Sequence, residues 1–237
     1  ITESSGELVV ETKSSKSDLV TNLDKLVEQR MLDLIRANYP TAKIISEEFN
    51  AHAVADLSGL VFFVDPIDGT ANFVEQHDYF ATMMAVYDDG QPLAGVIVDI
   101  PHGDYYYGSR NTPVFKNEQE LSPLPDKDLA AGLVSVGSRY VLANRFNVNE
   151  LVRQSLGLRI MGSAGIEFTE LLQGKHIAYL SHLTPWDLAA GRFLVEKLGL
   201  VVSKIDGTPV SMLQSENVII STKQVHQIAI RHLHDIL

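Results

Sequence analysis

The sequence predicts a mixed α/β chain in two halves, an α+β half built on an antiparallel sheet and a second half in which strands and helices alternate. Three observations predict it. Residues 80–87 and 92–100 read as paired strands around Asp88-Asp89-Gly90-Gln91, the composition of a tight hairpin. Beyond residue 131, short apolar runs alternate with segments of helical period. Residues 111–131, rich in Pro, Asn, Asp and Lys, read as the connection between the halves.

Taken in order, residues 1–12 fit either a strand or the tail of a helix. Asp18 to Asn38 has helical spacing through Leu19, Leu23, Leu26, Val27, Met31, Leu34 and Ile35. Tyr39-Pro40 stops it, because a residue before proline is pushed out of helical geometry. Runs at 43–46 and 59–65 read as strands, and Tyr105-Tyr106-Tyr107 adds a strand beside the hairpin. In the second half, strands are expected near 132–137, 158–161, 176–181, 200–205 and 217–221. Helices are expected near 145–156, 164–173, 186–198 and 223–236.

Composition narrows the function. With 237 residues and 45% hydrophobic content, the chain can bury a sizeable core. Its 30 acids against 19 bases give a formal charge of -11, which disfavours a nucleic-acid polymer or an anionic membrane as partner. The absence of cysteine excludes disulfides and thiolate sites, so any metal must use oxygen or nitrogen ligands. No secretory signal or membrane-length apolar run is present, and the expected location is cytoplasmic. The chain opens at Ile1 rather than methionine, which leaves room for a native N-terminal portion before it.

The most informative stretch is Val64-Asp65-Pro66-Ile67-Asp68-Gly69-Thr70-Ala71-Asn72-Phe73. An apolar strand ends in two carboxylates on one expected tight turn, followed by Gly-Thr. Two like charges at about 4 Å cost roughly 4 kcal/mol at an effective dielectric near 20. A bound hard divalent cation, which prefers oxygen ligands, removes that penalty. Glu47 and Glu48 end another apolar run, and Asp187 follows Thr184-Pro185-Trp186 at the start of an expected helix. Taken alone, Asp18 and Asp187 read as helix caps, and the two glutamates as a solvated strand end. The eight histidines are scattered and read as ordinary histidines rather than metal ligands.

These motifs give the chain a close resemblance to the inositol monophosphatase family of Mg²⁺-dependent phosphatases. Asp65-Pro-Ile-Asp-Gly-Thr-Ala-Asn72 and Trp186-Asp187-Leu-Ala-Ala-Gly191 carry it. Ser46-Glu47-Glu48, and the stretch from Lys13-Ser14-Ser15 through Asp18-Leu-Val-Thr-Asn-Leu-Asp24, fall in order around them. The resemblance implies one domain over residues 1–237, folded as a layered, alternating α/β/α/β/α sandwich of the sugar-phosphatase type. Residues 1–131 would form the metal and catalytic half, and 132–237 would supply the substrate side and Asp187.

The resemblance also implies roles. Glu47, Asp65, the Ile67 carbonyl, Asp68 and Asp187 would hold two or three Mg²⁺ ions, with Mn²⁺ as a substitute and Asp65 bridging. Thr70, polarised by Asp24, would position or deprotonate the attacking water, and Glu47 joins them in the catalytic set. Lys13 would lie near the site. Gly69 and Thr70 would offer backbone N–H groups to the phosphate. Gly162, Ser163, Ala164 and Asp187 would flank the substrate alcohol, with Ser138 nearby. The implied activity is lithium-sensitive hydrolysis of a small phosphorylated alcohol by a homodimer.

One departure bears on the substrate. Inositol-specific members carry an acid seven positions before the tryptophan-aspartate acid, and here that position is Leu180. A lost hydrogen bond to a charged group is worth roughly 1.5–3 kcal/mol, enough to redirect specificity. Sugar phosphates, 3′-phosphoadenosine phosphate and NADP therefore stand beside inositol monophosphate as expected substrates. An aspartyl-nucleophile phosphatase needs Asp-x-Asp-Gly-Thr, and the two-residue gap between Asp65 and Asp68 disfavours it. A metal-dependent binding protein without catalysis would need neither Thr70 nor Asp24.

Overall fold

The computed structural model describes residues 9–12, 19–49 and 54–234. β1 (Val10–Thr12) and β2 (Leu19–Thr21) form a small antiparallel ladder leading into α1 (Asn22–Asn38). The first half continues through β3 (Lys43–Ser46), β4 (Leu60–Asp68), the short α2 (Thr70–Gln76), β5 (Ala81–Asp88) and β6 (Gln91–Asp99). It ends with β7 (Asp104–Ser109), β8 (Val114–Lys116) and β9 (Gln119–Glu120). The second half holds β10 (Leu133–Val136), α3 (Ser138–Leu142), α4 (Val148–Gln154), β11 (Gly157–Arg159) and α5 (Ala164–Leu172). β12 (His176–Leu183), α6 (Pro185–Lys197), β13 (Val201–Lys204), β14 (Glu216–Ser221) and α7 (Lys223–His234) complete it.

The first sheet runs β3-β4-β5-β6-β7-β8-β9, antiparallel throughout except for the β3–β4 pair. The second runs β11-β10-β12-β14-β13, with β10 parallel to both neighbours and β14 antiparallel to both of its own. α5 and α6 lie between the two sheets, α6 against β4, β5 and β6 and α5 against β12 and β6. Their apolar faces share one core with both sheets, including Phe63, Met83, Ile97, Phe168, Leu194 and Ile220. Gly191 makes the α5–α6 approach possible, because a Cβ there would stand 2.2 Å from the Phe168 ring. α1 covers the outer face of the first sheet through Leu32 and Ile35 against Phe62 and Val64. α4 and α7 cover the outer face of the second through Leu151, Val225 and Leu233 against Val134 and Ile219. The result is the α/β/α/β/α layering that the resemblance implies. Among the described residues, no helix is long and apolar enough to cross a membrane.

Four expectations change. The first helix begins at Asn22, not Asp18, because Thr21 and Asp24 close a capping box that ends the preceding strand. Its inner face is Leu23, Asp24, Glu28, Leu32 and Ile35, while Leu26 and Leu34 are 46% and 66% exposed. Residues 111–131 are more than a connection, since β8 and β9 extend the first sheet there. The helix expected over 145–156 starts only at Val148, after α3 and a 3₁₀ turn at Arg145–Asn147.

Candidate active site

The Asp65–Asp68 stretch is not a tight turn. β4 runs through Pro66 as far as Asp68, and Asp65 pairs with Met83 while Asp68 pairs with Ala81. Three steps on β4 thus oppose two on β5, which is a bulge. Side chains three apart on a regular strand face opposite sides. The extra residue lets Asp65 and Asp68 reach one side, where they meet Asp187. Oxygen atoms of the three carboxylates lie within 4.8 Å of one another.

Asp187 occupies the first turn of α6. Its carboxylate accepts from the Thr184 N–H at 2.8 Å, and Thr184 Oγ1 accepts from the Asp187 N–H at 3.4 Å. The helix-cap reading and the cluster reading hold together, since a carboxylate has two oxygens. Asp68 is held at the start of α5, where it accepts from Ser163 Oγ, from the Ala164 N–H at 3.1 Å and from the Gly165 N–H at 2.6 Å. In this structure Ser163 and Ala164 therefore grip a carboxylate directly. Ser46 pairs with Val64 across β3–β4, which sets the half-buried Glu47 beside Asp65.

Electrostatics mark the cluster as incomplete on its own. Burial, then the charges of Glu47, Asp68 and Asp187, hold the Asp65 carboxyl well above the usual carboxylate range. Burial, then Asp187, push Asp68 up to about 7 against the lowering by its bonds from Ser163, Gly165 and Ala164. Burial raises Asp187 as well. Asp65 Oδ1 is buried with no hydrogen-bond partner. Among the described residues, no lysine or arginine forms an ion pair with Asp65, Asp68 or Asp187. An all-oxygen donor set with an orphaned carboxylate oxygen fits a hard divalent cation such as Mg²⁺.

Thr70 opens α2 beside this cluster. Its hydroxyl lies 3.2 Å from Asp24 Oδ1 and 3.1 Å from the Ile67 carbonyl oxygen, both acceptors. The other oxygen of Asp24 accepts from the Thr21 N–H at 2.9 Å and from Thr21 Oγ1, which locks the carboxylate in place. Gly69, at φ 87°, makes the turn from β4 into α2, and a Cβ on it would stand 2.8 Å from Ser163 Cβ. No side chain caps the first turn of α2. Asn72 donates to the Tyr79 and Met161 carbonyls at 2.9 and 2.8 Å, tying α2 to the loop that carries Gly162 and Ser163.

On the substrate side, Leu180 does not face the carboxylates. It is fully buried in the core under α7, paired with Val136 and Ile219. Tyr179 and Ser181 point to the other face, and the phenol of Tyr179 is pushed up by burial and then by the charges of Glu167, Asp68 and Asp187. Seven positions before Asp187 is thus a core position here, and the polar group nearest in sequence on the site's face is Ser181. His182 follows, with its Nδ1 3.0 Å from Asn217 Oδ1. Ser138 is exposed at the start of α3, where a Cβ on neighbouring Gly137 would stand 2.7 Å from Ser181 Oγ. Lys13 lies outside the described residues.

Two almost fully buried helical acids, Glu167 and Glu28, are not flagged by the sequence. Glu167 accepts from the Met161 N–H at 2.9 Å and from Ser135 Oγ, and its other oxygen lies 3.2 Å from His176 Nδ1. Glu28 is fully buried on α1. Neither sits in a recognisable motif, so only their position on an inward helix face could have flagged them.

Both the sequence and the fold have known relatives. The chain matches the inositol monophosphatase family over residues 2–237. It is 34% identical over 234 residues to an inositol-1-monophosphatase of Bacillus subtilis, covering 96% of this chain and 88% of that one. A structure of an IMPase/NADP phosphatase complexed with Mg²⁺ and phosphate superposes with a TM-score of 0.89 at 27% identity, over 95% of this chain and 86% of the other. A staphylococcal inositol monophosphatase in a lithium-soaked inhibitory complex gives 0.88 at 27% identity, over 95% and 85%. A match across the chain, at this identity and with this fold, places the protein in the inositol monophosphatase family as a phosphomonoesterase.

Proposed function

We propose that the protein is a Mg²⁺-dependent phosphomonoesterase that hydrolyses inositol monophosphate or a related sugar phosphate with water as the nucleophile. The observation that carries the proposal is the trio Asp65, Asp68 and Asp187, with the orphaned Asp65 Oδ1, beside the Thr70–Asp24 pair. In this reading Glu47, Asp65, the Ile67 carbonyl, Asp68 and Asp187 hold the metal. Bound Mg²⁺ supplies charge neutralisation of the phosphoryl oxygens and lowers the pKa of coordinated water.

The chain's own residues do the rest. The Thr70 hydroxyl donates to Asp24, which leaves its lone pairs to accept from the attacking water. A threonine hydroxyl is too weak an acid to release its proton unaided, so Asp24 takes up the positive charge that passes through it. The uncapped N–H groups of Gly69 and Thr70 orient the phosphate. Ser163, Gly165 and Ala164 fix Asp68, and Thr184 fixes Asp187, so the carboxylates meet the substrate already oriented. No covalent bond to the protein is required.

A nucleotide phosphatase is the second reading, supported by the dual name of the IMPase/NADP phosphatase and by the small polar group, Ser181, on the site's face. A homodimer is also proposed. Leu156 and Ile160 are exposed on either side of the edge strand β11, and sedimentation of the full chain at the monomer mass would rule the dimer out. The substrate is tested by phosphate release from inositol 1-phosphate, a sugar monophosphate, 3′-phosphoadenosine 5′-phosphate and NADP, with Mg²⁺, with chelator and with added Li⁺. Turnover that requires Mg²⁺ and falls with Li⁺ is expected. No release from any of the four in Mg²⁺ would overturn the enzymatic reading.

A further inference from the structure

Glu28 is a buried carboxylate that the chemistry above does not use. It has no exposed surface and sits mid-helix on α1, yet it receives three hydrogen bonds from one segment. Ser46 Oγ donates to Oε1 at 2.6 Å, the Phe49 N–H donates to Oε1 at 2.9 Å, and the Glu48 N–H donates to Oε2 at 2.8 Å. Those donors flank Glu47 on both sides. A buried charge is tolerated only where such donors satisfy it. The three bonds fix the backbone on either side of Glu47 as the chain leaves β3 beside Asp65.

We propose that Glu28 is a positioning residue for the metal site, acting through Glu47. It makes no contact with metal or substrate in this proposal. Asp24 lies four residues earlier on the same face of α1, since residues four apart on a helix are neighbours. One helix thus fixes both flanks of the site, Thr70 through Asp24 and Glu47 through Glu28. A carboxylate is needed at position 28 because both of its oxygens accept. Glutamine would turn an NH₂ group toward a backbone N–H or toward Ser46. Residues that orient metal ligands typically carry about 10–100-fold of metal affinity when changed.

The proposal rests on the Mg²⁺ site proposed above, and the test separates the two. Mg²⁺ binding to the metal-free full chain is measured by titration calorimetry for the wild type, Glu28→Gln, Ser46→Ala and Leu32→Ala. Leu32 is buried on the same helix but contacts the apolar core rather than the Glu47 segment, so its variant controls for lost stability. Glu28→Gln is expected to weaken Mg²⁺ binding by about 10-fold or more, and Ser46→Ala by less, because it removes one of three donors. Leu32→Ala is expected to lower the melting temperature with Mg²⁺ affinity kept. In activity assays, saturating Mg²⁺ is expected to recover most of kcat in Glu28→Gln. Wild-type affinity in both Glu28→Gln and Ser46→Ala overturns the positioning role, as does equal weakening in Leu32→Ala. A wild type that binds no Mg²⁺ overturns the metal site itself and the positioning role with it.

Discussion

Asp24 and Thr70 lie 46 positions apart in sequence and meet through a 3.2 Å contact, so the pair is a product of the fold. Asp24→Asn would keep the shape and the Thr21 cap but remove the charge that draws a proton through Thr70. Loss of a positioned acid–base group typically slows turnover by about 10²–10⁴-fold. We expect kcat to fall in that range with Mg²⁺ affinity kept, measured by steady-state phosphate release beside calorimetry. Unchanged kcat would remove Asp24 from the reaction. At this scale, Asp65, Asp68 and Thr70 stand out in the sequence because their local pattern is one that structure alone explains poorly, whereas Asp187 taken alone reads as a helix cap and gains its expected role only through the family resemblance. Glu28 and Glu167 do not stand out, because each is a lone acid within a helix whose inward face only the tertiary structure defines. For α1 the apolar spacing pointed to Leu26 and Leu34, which face solvent, while Asp24 and Glu28 face inward.

Elements succeed or fail by register. The hairpin was readable because Asp89 and Gly90 take positive φ, 47° and 74°, as a two-residue turn of the primed type requires. The β4 bulge was not readable, because proline between two acids suggests a turn as readily as a strand that continues. β12 shows the same difficulty, since a shift of one residue sends a side chain to the opposite face. Counting back from Asp187 put Leu180 on the substrate side, whereas its pairing with Val136 and Ile219 puts it in the core. Leu180→Ala should therefore cost about 2–5 kcal/mol of stability by opening a cavity. The ratio of kcat/KM values for inositol 1-phosphate and NADP should not move. Ser181→Asp is the change expected to shift that ratio, and a shift in Leu180→Ala with intact stability would reverse the assignment.

For the whole molecule, two sheets with α5 and α6 between them bring β4 of the first half against α5 and α6 of the second, and the carboxylates meet at that junction. The cost is mutual repulsion in the metal-free protein. Burial raises the pKa values of Asp65, Asp68 and Asp187 above their unfolded values, neighbouring acidic charges add to it at Asp65 and Asp68, and Asp68 moves from 3.8 to about 7. A raised folded pKa means that the native state binds protons more tightly than the unfolded chain. The contribution of Asp68 to stability is thus full below pH 3.8 and is lost as pH rises toward 7. Mg²⁺ needs the ionised ligands, so its effect runs the other way. At 100-fold excess over Kd it stabilises by about 2.7 kcal/mol. For a chain of this size that corresponds to roughly 5–10 °C in Tm. Scanning calorimetry at pH 8 should show that shift, with a much smaller one at pH 5, and equal shifts at both pH values would contradict the ionisation scheme.

The most direct test of the metal site is a paired measurement on wild type and Asp65→Asn, Mg²⁺ binding by calorimetry and phosphate release from the preferred substrate in the same Mg²⁺ buffer. Saturable Mg²⁺ binding and Mg²⁺-dependent turnover in the wild type, with both lost in a folded Asp65→Asn, are the predicted result. Turnover in Asp65→Asn close to that of the wild type, or wild-type turnover that survives complete chelation, would contradict it.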